Sequence, residues 1–131
     1  MELLFFLTAY LMLFSSVVGW GLITSKMFYS ETFIFGKVII YGIFALTLIS
    51  YITSFLIPHG IVFNLILHSI GVLSFYLLKK KIKLDNYHIL IILIIFTCLL
   101  ISKNHDDFPF YHLQQSLNLS FNKLQIGLSN L

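Results

Sequence analysis

Apolar residues in this chain come in long unbroken runs, unlike the short alternations or one-sided stripes of a water-soluble fold. The first extends from Leu3 to Thr24 and is interrupted only by small or hydroxylated residues such as Thr8, Ser15, Ser16, Gly19 and Gly21. At about 1.5 Å per residue, about 20 helical residues cross the hydrocarbon core of a bilayer. The run therefore predicts a transmembrane helix over 3–24, and three more are predicted over 38–57, 61–78 and 87–101. Pro58-His59-Gly60 separates the second from the third, because proline cannot continue a helix and pushes the preceding residue out of the helical region. The expected fold class is all-α: a polytopic membrane protein with four transmembrane helices followed by an outer-face amphipathic interfacial helix.

That last helix is read from 102–131, the one extended stretch outside the predicted spans. Leu113, Leu117, Phe121, Leu124 and Leu128 recur every three or four residues, with Gln, Ser, Asn and Lys between them. This is the pattern of an amphipathic helix over about 109–128. Asp106 or Asp107 can cap its free amides, and Pro109 suits its first turn. Such a helix lies along a membrane surface with its apolar face down.

Composition strengthens the membrane reading. The 131 residues are 59% hydrophobic and 10% charged, with a mean hydropathy of +0.97; a soluble domain carries about a quarter charged residues. A fold of this length has too little interior to hide so much Leu, Ile and Phe, so the lipid bilayer is the first partner. The net charge of +3 comes with eight Lys and no Arg. Without an Arg-rich or aromatic-interleaved basic face, a nucleic-acid partner is excluded. Lys79, Lys80, Lys81 and Lys83 lie between the third and fourth runs. By the positive-inside rule this loop is cytoplasmic, and counting back puts the Lys26–Lys37 loop on the same side. The expected location is multi-pass in the inner (cytoplasmic) membrane, with 102–131 on the periplasmic or extracellular side. Cys98, the single cysteine, lies inside an apolar run and reads as a packing or lipid-facing residue. Met1-Glu2 leads straight into LLFFL without a basic leader, so the first run reads as a retained helix, not a cleaved signal.

Polar or small positions inside the runs carry further expectations. Trp20, near one end of its run, reads as an interfacial anchor, and Gly19 and Gly21 beside it permit close helix approach. Gly36, Gly42, Gly71 and Ser74 are further small-residue packing positions. Asn64 and His68 are four residues apart and share a helix face. They either line a polar cavity or, in the case of His68, bond to a neighbouring helix.

Candidate chemistry concentrates in Lys103–Gln114, KNHDDFPFYHLQ. Carboxylates at a membrane surface can act as a general base toward a hydroxyl, or hold a hard divalent cation that neutralises a pyrophosphate leaving group. Asp106 and Asp107 are the candidates for either role, with His105 and His112 as nearby imidazoles. The plainer alternative is that the acids cap the helix while the histidines sit in the wet interface. The segment HDDFPFYHLQQ resembles the first large outer loop of bacterial polytopic glycosyltransferases of the GT-C type, which use polyprenyl-phosphate-linked sugars. The resemblance rests on Asp106, Asp107, Tyr111 and His112. It implies that Asp106 or Asp107 is the catalytic base, or holds a divalent cation where the chemistry uses one. It also implies that His105, Tyr111 and His112 shape the donor or acceptor pocket. The chain would then be the N-terminal part of a longer enzyme moving a sugar from a lipid carrier to an envelope acceptor, its site completed by further C-terminal spans or a partner membrane protein. The competing expectation is a small non-catalytic four-helix membrane protein that binds a partner or assists lipid or solute movement.

Overall fold

The computed structural model describes residues 2–28, 34–79, 82, 85–101 and 108–124. The described residues form helices and no strand: α1 (Glu2–Met27), α2 (Phe35–Ser54), α3 (Ile61–Leu78), α4 (Asn86–Ile101) and α5 (Leu113–Phe121). A wider π-type turn over Phe108–His112 leads into α5. The first three helices, of 26, 20 and 18 residues, are long and apolar enough to cross a membrane, while α4 is apolar but shorter at 16 residues.

α1 is the central helix, with α2 and α3 packed along it. The Gly19-Trp20-Gly21 triplet makes both contacts possible. Residues two apart point nearly opposite ways around a helix of 3.6 residues per turn. Gly19 accordingly faces α3 and Gly21 faces α2. A Cβ on Gly19 would collide with the Gly71 carbonyl of α3, and one on Gly21 with the Val38 carbonyl of α2. Gly42 meets the Val17 backbone in the same way, so main chains approach closely on both sides of α1. Among the described residues, a Cβ on Gly36 would meet nothing within 4 Å. Ser74 hydrogen-bonds to the Ile70 carbonyl of its own helix at 2.7 Å.

Trp20 has a partner within the bundle. α1 continues past it to Met27, and the indole N–H donates to the Leu67 carbonyl of α3 at 3.0 Å. Helical side chains lean toward their own N-terminus, which lets the ring reach back to Leu67 while Gly19 lies against Gly71. One residue further along the same seam, Ser16 Oγ and His68 Nδ1 are 3.0 Å apart. These two polar links register α1 against α3.

α4 runs beside the first half of α1. The Tyr10 hydroxyl donates to the Ile92 carbonyl at 3.0 Å, and the Tyr10 and Phe6 rings lie 5.2 and 5.8 Å from Phe96. No described side chain of α4 is buried. The apolar core gathers Val18, Leu22, Phe35, Val38 and Ile82, with Phe75 and Leu78 packed against it. These positions come from the second half of α1, the start of α2, the end of α3 and Ile82 beyond it, so the buried apolar cluster is at the end of the bundle that carries Lys26, Lys37 and Lys79. Outward faces are apolar, with Ile40, Ile43 and Phe44 on α2 and Leu65, Ile66 and Leu73 on α3 exposed. Exposed Ser and Thr hydroxyls bond back to carbonyls one turn earlier, as Thr8 does to Leu4 and Thr97 to Leu93. An apolar surface with internally satisfied hydroxyls suits lipid and would be unfavourable in water.

The limits of three helices differ from the sequence expectation by more than a residue, and α1 runs over Glu2–Met27 where 3–24 was expected. α2 covers Phe35–Ser54 where 38–57 was expected, because the Leu56 and Ile57 amides both close on the Thr53 carbonyl at 2.9 Å ahead of Pro58. α5 ends at Phe121, well short of 128; Asn122 turns into extended backbone and Leu124 leaves the helical stripe. Residues 125–131 lie outside the described residues.

Candidate functional site

Antiparallel connection puts the end of α2, the start of α3 and the tail at one end of the bundle. Two main-chain hydrogen bonds tie them together. The His59 amide donates to the Leu119 carbonyl of α5 at 2.9 Å, and the Leu124 amide donates to the Ser54 carbonyl at 2.7 Å. Ser54 belongs to the last turn of α2, where carbonyls have no partner within the helix. The tail supplies one.

Between these elements lies an open groove of about 590 Å³. Leu46 from α2 and Leu67 from α3 give it an apolar wall, and Leu119 and Leu124 close the tail side. Polar groups gather along the rest: Ser50 and Ser54 from α2, Asn64 and His68 from α3, and Gln115 from α5. Asn64 and His68, paired by sequence spacing, do share this face. Both earlier alternatives hold for His68, which lines the groove and reaches Ser16 of α1 through Nδ1.

His59 is the most constrained group at the site. Its Nε2 lies 2.9 Å from Thr53 Oγ1, its ring stacks on Phe63 at 4.2 Å and 9°, and its carbonyl accepts from Asn64 Nδ2 at 3.0 Å. The turn imposed by Pro58 brings all three partners within reach. Sequence reasoning treated His59 only as part of a helix break. It also passed over Thr47, Ser50, Tyr51 and Ser54, which line the groove from one face of α2. Their spacing of three, one and three was a readable signal: a polar stripe within an otherwise apolar run.

Of the catalytic and substrate-binding candidates read from the sequence, only Tyr111 and His112 are among the described residues. His105, Asp106 and Asp107 are outside the described residues. Tyr111 and His112 are described and exposed, Tyr111 by 70%, and neither lines the groove. Among the described residues, no three His, Cys, Asp or Glu side chains are grouped to hold a metal ion. What the groove can do chemically is donate and accept hydrogen bonds beside an apolar slot, an arrangement fitted to holding an amphiphile. No protein-family model, curated protein or solved structure matches the chain.

Proposed function

We propose that this chain is an integral-membrane protein that holds an amphiphilic molecule in the groove between α2, α3 and α5 and assists its movement or presentation. The carrying observation is the groove itself, which sets Leu46, Leu67 and Leu119 beside the polar side chains of Ser54, His59, Asn64 and Gln115. Three helices long and apolar enough to cross a membrane support a setting in which lipid has lateral access. A Ser50→Trp variant fills the groove from an otherwise lipid-facing helix. Purified in nanodiscs and analysed by mass spectrometry, it should lose the amphiphile retained by the parent protein while melting at the same temperature. An unchanged complement of bound lipid at full occupancy would remove this reading.

A second reading, a portion of a membrane glycosyltransferase using a polyprenyl-linked sugar, draws support from one observation. α5 follows directly on the segment carrying Asp106 and Asp107, and its Gln115 and Leu119 form part of the groove wall. On this reading one aspartate deprotonates the acceptor hydroxyl while the lipid phosphate leaves. Asp106→Asn and Asp107→Asn, made separately and compared at equal membrane abundance, decide it. Sugar transfer that collapses in one variant supports the catalytic role, and transfer that persists in both rules it out.

A further inference from the structure

The groove's lining has a consistent chemistry that narrows what it binds. Its polar side chains are hydroxyls, such as Ser50 and Tyr51, carboxamides, Asn64 and Gln115, and the imidazoles of His59 and His68. Among the described residues, no Lys, Asp or Glu lines the groove. A charged head group taken into a largely apolar slot loses its hydration and needs an opposite charge or a dense set of donors in return. This lining offers neither. It offers groups that both donate and accept, which match a molecule whose own polar groups do both, as hydroxyls do.

Several of these groups have capacity left for a ligand. Asn64 uses its amide nitrogen toward the His59 carbonyl, and His68 uses Nδ1 toward Ser16. The Asn64 carboxamide oxygen, His68 Nε2 and the Gln115 carboxamide have no partner among the described residues. Leu46 lies eight residues before the end of α2, about 12 Å deeper along the helix axis. A head held near Ser54 and Asn64 would therefore send its chain toward Leu46 and Leu67. The volume of about 590 Å³ is within the usual range of small-molecule sites, about 300–1,000 Å³.

We infer that the groove is a binding site for an uncharged amphiphile with a hydroxyl-rich head, its head bonded by Asn64 and Gln115 and its chain lying against Leu46 and Leu67. This rests on the amphiphile reading above and adds the head-group class.

The test uses the full chain in phosphatidylcholine nanodiscs, with a photoactivatable dodecyl glucoside as probe and unlabelled dodecyl glucoside or dodecyl phosphate as competitors. Labelling should map to 46–68 and 115–124, and dodecyl phosphate should compete about tenfold less well than dodecyl glucoside. Asn64→Leu and Gln115→Leu should each weaken labelling about fivefold, the loss of one hydrogen bond of about 1 kcal/mol. Gln115 is exposed, so its variant should melt at the parent temperature, whereas Asn64→Leu also loses the bond to the His59 carbonyl and should melt slightly lower. Groove labelling that dodecyl phosphate displaces as well as or better than the glucoside overturns the head-group assignment and leaves the amphiphile reading in place. Labelling spread over all helices and indifferent to both variants and both competitors overturns the two together.

Discussion

The amide of Leu124 donates to the carbonyl of Ser54 at 2.7 Å, so the tail completes the last turn of α2. With the His59–Leu119 bond at 2.9 Å it forms a two-point clasp across one end of the bundle. In hydrogen–deuterium exchange the Leu124 and His59 amides should be protected relative to Lys123. Leu124→Pro removes one donor, a change of about 1 kcal/mol. It should speed proteolysis within 108–124, whereas Leu124→Ala, which keeps the N–H, should speed it much less. Equal protease sensitivity in the two variants would show that the amide does not hold the tail.

Close approach of α1 and α3 makes Gly71 intolerant of side chains. A Cβ there would meet the Ser16 carbonyl at 2.7 Å and the Trp20 ring at 2.8 Å, with both backbones fixed. Gly71→Ala should destabilise by about 1–3 kcal/mol, in the range of overpacked cores. Gly36→Ala, with open space around it, should stay within about 0.5 kcal/mol of the parent. Unfolding in mixed micelles compares the two, and equal losses would contradict the packing described.

Trp20 is the only tryptophan, so its emission reports directly on the α1–α3 seam. Chain-labelled quenching lipids should quench it more strongly than aqueous acrylamide, the reverse of an interfacial ring. Trp20→Phe should destabilise the protein by about 0.6 kcal/mol, the average for a hydrogen bond between membrane helices.

Ser16 and His68 form the second link in that seam. A cycle of Ser16→Ala, His68→Leu and the double variant should give a coupling of about 0.6 kcal/mol. Additivity within error would mean that the 3.0 Å contact contributes nothing to stability.

Tyr111 and His112 are exposed and outside the groove. Tyr111→Ala and His112→Ala should change stability by no more than about 0.5 kcal/mol. If sugar transfer is found for the chain, loss of transfer in either variant at unchanged stability would give that residue a part in substrate handling.

Much of the helical architecture was legible because an apolar run of about 20 residues has few folded alternatives in lipid. The Asn64–His68 pairing was legible for a similar reason, since a spacing of four fixes a shared face whatever the neighbours are. The groove was harder to read. Its lining comes from α2, α3 and α5, and no local rule says that Gln115 lies opposite Ser50. The partner of Trp20 was not legible, because its place near the end of an apolar run is accounted for by an interfacial ring alone. Only the position of Leu67 on the adjoining helix shows that the indole has a partner within the bundle.

By itself the sequence determined an all-helical chain with apolar helices fit for a bilayer, the break at Pro58 and the small residues that let helices meet. These follow from the chain's own covalent limits and from the requirement that backbone groups in lipid bond within a helix. The tertiary structure decided which small residue faces which helix, that Trp20 and His68 both bind across the α1–α3 seam, and that the tail returns to Ser54 and His59. Each of these depends on a distance between residues far apart in the chain, which helical periodicity leaves open and packing fixes.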